Sequence, residues 1–288
     1  MAGTNEIYAQ QYSENIMPLA QQGASKLLHS VYLKNNITGE HFYQDQIGQW
    51  TMSDKVGDNP ATPQSSPNLS RRRATIITKH NGVLLDKSAN LKILSDPKAS
   101  YTESAQKSLG RAIDAEIIRA LGATSNTGKE GAGSVALPAS QKIADSGVGL
   151  TFAKVRDARK ILNRNDVESE DCYFVVSPDG ISDLLTSPEA ASSDYNTINA
   201  IQNGGFDGKM WMGFKWIMST QAPKTLTIRT CYAYHKNGLC LGMAEAPKVR
   251  IDERADLSYS WQIYYTLEMG ATRLEEERVV QVDIKEAA

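Results

Sequence analysis

Residues able to carry out chemistry are few in this chain, and their spacing is unhelpful to most reactions. The cysteines, Cys172, Cys231 and Cys240, form an odd set with no C-x-x-C spacing. That argues against a disulfide framework or a local zinc site and reads as buried thiols packing as small apolar groups. His29, His41, His80 and His235 are too scattered to offer a pair at metal-ligand spacing. The stretch from Gly122 to Lys129 (GATSNTGK) invites a phosphate-loop reading, in which backbone N–H groups and a Lys cradle phosphates. Its glycines are one residue too far apart, Glu130 stands where a Mg²⁺-binding Ser or Thr is needed, and it follows a helical pattern. Nucleotide binding is therefore not expected. Glu275, Glu276 and Glu277 could be paired catalytic carboxylates, but they fall between two strand patterns, where a solvated charge run is the simpler reading. No Ser/His/Asp or Cys/His arrangement can be assembled locally, so no catalytic, cofactor-binding or metal residue is assigned. One sharp basic cluster remains, Arg71-Arg72-Arg73. It is a solvated strand carrying gatekeeping charge, a salt-bridge site facing a neighbouring subunit, or a nucleic-acid contact without interleaved aromatic residues.

Composition narrows the classes further. The 288 residues carry 31 Lys plus Arg against 33 Asp plus Glu, a net charge of -2, so a dedicated phosphate-neutralising binder is disfavoured. With 41% apolar and 22% charged residues the chain is expected to fold rather than remain disordered. The opening MAGTNEIYAQQYSEN lacks both a basic n-region and an apolar h-region, so no signal peptide is expected. No stretch reaches the roughly 20 apolar residues of a membrane-spanning helix. Without a secretory signal, the sequons at Asn36-Ile37-Thr38 and Asn68-Leu69-Ser70 carry no weight.

The elements that would position any site follow from periodicity. Ile7, Tyr8, Tyr12, Ile16, Leu19, Leu27 and Leu28 trace one face of a helix, or of two short helices broken near Gly23. His41 to Met52 and Arg71 to Leu85 read as extended strands around a Pro-rich tip, Gly57 to Ser70, with almost no apolar content. A structureless stretch of that length is expected to contact something outside its own domain. A long helix follows, with a Ser100/Glu103 capping box or an Asp96-Pro97 start, a stripe from Ala105 to Leu121, and Gly122 as C-terminal cap. Gly110 in its middle predicts a close crossing. Thr124 to Gly149 reads as loop with a short hairpin. Leu150 to Glu245 reads as a compact α/β section: a Thr151-capped helix, a buried strand at Cys172 to Val176, a Ser177-Pro178 helix with Ile181, Leu184 and Leu185 inward, and a helix through Tyr195, Ile198 and Ile201. Strands at Phe214 to Ser219 and Leu226 to Tyr234 complete it. Strict alternation from Tyr259 to Met269 predicts a long strand, with Val280, Val282 and Ile284 on a final partner strand.

The order of arm, long hairpin, long helix, α/β domain and closing strands resembles the tailed-bacteriophage major capsid protein, the Hong Kong ninety-seven type of fold, and is most similar to the capsid proteins of short-tailed phages. SLGRAIDAEIIRALG (Ser108 to Gly122) looks like the end of the family's spine helix. GKMWMGFKWIMSTQAP (Gly208 to Pro223) is similar to an apical-domain strand running to a Ser/Thr and then Pro. WQIYYTLEMGATRLEEERVVQVDI (Trp261 to Ile284) looks like the closing strands, with Gly270 and Arg273 in a G-x-x-R turn.

The resemblance implies an α+β fold with an N-terminal arm over residues 1–38 and an extended loop over 39–95. It implies a peripheral domain from 96–149 and 247–288, and an axial domain over 150–246. It further implies a non-enzymatic, cofactor-free shell subunit located in the virion and assembled in the host cytoplasm. Its partners would be other copies in hexamers and pentamers, a portal protein at one vertex, packaged double-stranded DNA held without sequence specificity, and no membrane. No long extension precedes the arm in this sequence, which under the resemblance points to a separate scaffolding protein. Trp50, Lys55, Arg71, Arg72 and Arg73 are the expected intersubunit contacts. An encapsulin-like compartment shares the fold and is separated by its content; an enzyme with a site assembled only in space is the third reading.

Overall fold

A computed structural model describes residues 21–85, 98–186 and 208–286. The arm residues Ile7 to Leu19, the Asp96-Pro97 start and the Tyr195–Ile201 helix lie outside the described residues. The first half of the chain carries β1 (Tyr32–Asn35), β2 (His41–Ile47), β3 (Leu69–Thr75), β4 (Ile77–Leu85) and the long helix α1 (Lys98–Gly122). Short strands β5 (Ser125–Thr127), β6 (Gly133–Val135) and β7 (Lys142–Ile143) come next, then α2 (Phe152–Arg164), β8 (Cys172–Val176) and α3 (Pro178–Thr186). The remainder is β9 (Met210–Trp211), β10 (Phe214–Met218), β11 (Lys224–Thr225), β12 (Ile228–His235), β13 (Leu239–Arg254), β14 (Ser260–Arg273) and β15 (Val279–Lys285).

Two compact units are formed. The larger holds, among the described residues, 26–77, 112–186, 208–245 and 268–286. Its centre is a seven-stranded sheet ordered β7-β15-β12-β8-β10-β9, with β11 on β12. All of β8 is buried, as expected for an apolar run covered on both faces. Val155, Ala158 and Leu162 of α2 pack with Phe174, Trp216, Val280, Val282 and Ile284 into one core. Thr151 caps α2 by accepting from the Lys154 N–H, and Ser177 Oγ accepts from the Gly180 N–H at the start of α3, as the sequence predicts. Within α3, Ile181 and Leu184 are buried but Leu185 is exposed, because the helix is only about two and a half turns long and a single side of it faces the sheet. Met212 and Gly213 both take positive φ and form the two-residue turn joining β9 to β10, a geometry that matches strand twist.

Several expectations are corrected. Leu27 and Leu28 are not helical beyond a single 3-10 turn at Leu28–Ser30. The backbone N–H groups of Lys26 and Leu27 donate to the buried Asp114 carboxylate (3.0 and 3.1 Å), which binds the segment to α1 as an irregular strap. The run from Arg71 to Leu85 is two strands broken at Ile76. β3 stays in a small sheet ordered β2-β3-β5-β6, while β4 moves to a sheet ordered β1-β13-β14-β4. Gly270 permits this change of sheet: a side chain there would collide with the Thr75 carbonyl and press on Ile76. Gly270 and Arg273 are accordingly within strand β14 and not in a turn. β14 and β15 do not pair with each other; β15 inserts beside β12. Gly122 is the last helical residue and not a left-handed cap; a side chain there would overlap the Tyr232 hydroxyl. Ser100 falls inside α1, which starts at Lys98.

The smaller unit holds, among the described residues, 21–25, 78–85, 98–111 and 246–267. The expected crossing at Gly110 is present: a Cβ there would lie 2.8 Å from the Ser25 nitrogen. Gln21 bonds Ser104 and Arg111 on the same helix. Of the alternating residues in β14, Ile263 and Leu267 are fully buried, whereas Tyr259, just outside the strand, is exposed.

Candidate interaction surface

The three consecutive arginines are built on β3, opposite β2 with Arg71 facing Asp45 and Arg73 facing Tyr43 in register. Alternation sends them to different environments. Arg71 forms a bidentate pair with Asp45 (2.5 and 2.9 Å) and lies over the Tyr43 ring. The Arg71 hydrogen bond holds the Asp45 carboxyl below the usual carboxylate range. Arg72 points inward and is buried. Its Nε donates to the Leu274 carbonyl and its Nη2 to Glu276, each at 2.8 Å. Arg73 donates to the Glu130 carbonyl at 2.7 Å and packs under Gly131, whose positive φ lets the β5–β6 turn close over it. The simple reading of all three as a solvated strand is thus corrected: only Arg71 is a surface residue with an exposed partner.

The acidic run is corrected in the same way. Glu275 pairs with Arg278, but Glu276 reaches inward between two arginines. Arg273, fully buried, donates to the carbonyls of Leu121 (2.9 Å), Ala123 (2.8 Å) and Val135 (3.1 Å), with Glu276 3.5 Å from its Nε. A helix leaves its last carbonyls unsatisfied, and the guanidinium fork answers that need at the end of α1. Burial lowers the Arg273 pKa from its ordinary value. Sequence reasoning placed Arg273 in a G-x-x-R turn and missed its buried role; its position two places after the buried Ala271 in β14 was the available signal.

Between β2 and β3 the chain runs without regular structure from Gly48 to Asn68, its neck closed by the Gly48 N–H on the Asn68 carbonyl (2.8 Å). The stretch is exposed over nearly its whole length, and so are its large apolar side chains. Trp50 is 65% accessible, Met52 98% and Val56 81%, and Ile47 and Leu69 at the neck are exposed as well. Lys55 is exposed among them. Beneath the neck lies a polar cleft of about 690 Å³, bordered by Gln46, Asn68, Arg72, Arg164 and Glu277. Trp50 and Lys55 are exposed on the loop and Arg71 is partly exposed on β3, while Arg72 is buried and Arg73 makes a single bond to a backbone carbonyl.

The three cysteines are buried and unpaired, with burial raising the Cys231 thiol to about 12 and Cys240 to about 11. Among the described residues no three His, Cys, Asp or Glu converge as metal ligands, and no helix is long and apolar enough to cross a membrane. The phosphate-loop stretch is divided between the end of α1, strand β5 and the turn at Gly128.

The described fold, with its mixed core sheet, long helix and closing strands, is similar to those of solved phage capsids. The chain matches the capsid of the Ralstonia phage GP4 with a TM-score of 0.76 at 10% identity, covering 100% of this chain and 98% of that one. It matches the capsid of the cyanophage P-SCSP1u at 0.73 and 15% identity, over 99% and 96%. The cyanophage Pam1 capsid gives 0.69 at 14% identity, over 100% of both chains. No curated protein matches the sequence at a significant level. The family model described as phage capsid protein matches residues 4–286, and the chain belongs to that family, with the Hong Kong ninety-seven type of fold.

Proposed function

We propose that the protein is the major capsid protein of a tailed phage, assembling as hexamers and pentamers into an icosahedral shell around double-stranded DNA. The observation that carries this reading is the family match over residues 4–286. In this reading residues 1–38 are the arm, 39–95 the extended loop, 96–149 with 247–288 the peripheral domain and 150–246 the axial domain. The protein has no enzymatic role, acts in the virion after assembly in the host cytoplasm, and works with a scaffolding protein and a portal. Trp50, Lys55 and Arg71 make contacts with a neighbouring subunit. Their exposure, beside Met52 and Val56, supports that role, since a lone subunit gains nothing from apolar side chains in water. A net charge of -2 suits a wall that contains DNA without gripping it.

Lys55 is the single Lys or Arg between residues 49 and 68, so trypsin reports on the loop directly. Cleavage after Lys55 is expected to be fast in the isolated subunit and suppressed in assembled particles. Equal rates in both states would remove the loop from the interface. Nuclease-protected double-stranded DNA is the expected content of particles from an infected or induced host; a packaged cargo protein would contradict the phage reading.

A further inference from the structure

Next to the end of α1 lies a small cavity of about 200 Å³, entirely within the larger unit. Its polar lining includes Arg73, Arg119, Thr124, Ser125, Asn126 and Thr272, and it contains no carboxylate. The two guanidiniums are not equally committed. Arg119 holds the buried Glu116 through two hydrogen bonds, at 3.1 and 2.5 Å. Arg73 pairs with no carboxylate among the described residues: its Nη1 bonds a backbone carbonyl and its Nε is buried without a partner. Arg273, one residue beyond Thr272, spends its guanidinium on carbonyls. The region therefore holds an excess of positive charge beside hydroxyl and amide groups, which is the composition of an oxyanion site. The volume admits the end of an acidic side chain and not a nucleotide.

The complementary charge is on the same molecule. Asp54 and Asp58 sit on the exposed loop between β2 and β3, and neither makes an ion pair among the described residues. They flank Lys55 and Val56 on the stretch whose apolar side chains face water.

We propose that this arginine-lined cavity receives a carboxylate, Asp54 or Asp58, from the loop of a second copy of the chain. The assignment rests on the self-assembly reading above and names the receiving site for its loop. The contact is heterologous, the loop of one copy meeting the cavity of the next, which is the kind of contact that propagates around a ring or lattice. The two-sided charge match fixes which neighbour is accepted more than it adds affinity.

Cysteine chemistry tests it cleanly, because all three native thiols are buried. Particles carrying Asn126→Cys together with Asp54→Cys or, in a second set, with Asp58→Cys, oxidised and run without reductant, are expected to give a ladder of linked chains in at least one set. Each single variant is expected to stay unlinked. Particles that form but give no ladder in either set overturn the assignment, whereas a wild-type protein that never forms particles overturns the self-assembly reading instead. A second measurement does not depend on the double variants assembling. Asp54→Asn with Asp58→Asn is expected to leave subunit melting unchanged. In particles, it should speed tryptic cleavage at Lys55 by about tenfold or more, because the loop is released more often; failure to form particles also supports the contact. Unchanged cleavage in normal particles would contradict it. Shielding of an Asn126→Cys thiol by inorganic phosphate, with no ladder in either double variant, would give the cavity to a small free oxyanion and overturn the loop assignment.

Discussion

Arg273 ties several elements together, since one guanidinium satisfies the ends of α1 and β6 and shares Glu276 with Arg72. Replacing it by Met leaves those carbonyls unpaired and Glu276 short of a counter-charge. The expected loss is about 3–5 kcal/mol in a denaturant titration of the subunit, with Arg273→Lys recovering only part, because a point charge cannot copy a fork. A loss below about 1 kcal/mol would contradict this reading of the buried network. His235 offers a pH test. Burial, then the nearby Arg278, lowers its pKa from the usual 6.5, against the opposing pull of Glu168, Asp171 and Glu275. The unfolded chain then binds a proton that the folded chain refuses, so stability is full above about pH 6.5 and declines as pH falls toward the lowered folded value. Urea titrations of wild type and His235→Gln across that window are expected to show a shallower slope for the variant; parallel curves would exclude His235 as the cause. At this scale the sequence was only partly legible. Buried thiols follow from composition, but the inward turn of Arg72 and Glu276 depends on a side-chain contact between segments more than 200 residues apart in sequence.

Elements were the most readable level. Periodicity located α1, α2, β8 and β15, and cap residues located the starts of α2 and α3. What periodicity cannot reveal is which strands become neighbours. The break at Ile76, the separation of β14 from β15 and the parallel pairing of β1 with β13 are all set by long-range contacts. Gly110 records another long-range close approach. Gly110→Ala would press a methyl group into the Ala24–Ser25 backbone, whereas Gly23→Ala meets nothing within 4 Å. A loss of about 1–3 kcal/mol is expected for the first and near neutrality for the second, read as a difference in melting between the paired variants. Equal effects would mean the strap does not lie against the helix as described.

The loop between β2 and β3 is exposed and has no core of its own. Removing residues 57–67 is expected to leave melting of the isolated subunit unchanged and to abolish particle formation; intact shells from the deletion variant would show the loop to be dispensable. The resemblance of arm, loop, helix, α/β section and closing strands to phage capsid proteins was visible in the sequence because order and spacing survive where identity has fallen to 10–15%. The receiving cavity was not visible, since its lining converges from β3, α1, β5 and β14. The most direct measurement is electron microscopy of the purified protein, expressed alone and with the proposed scaffolding protein. Closed particles with subunits clustered in fives and sixes are expected. A monodisperse monomer under every assembly condition would contradict the shell-forming role.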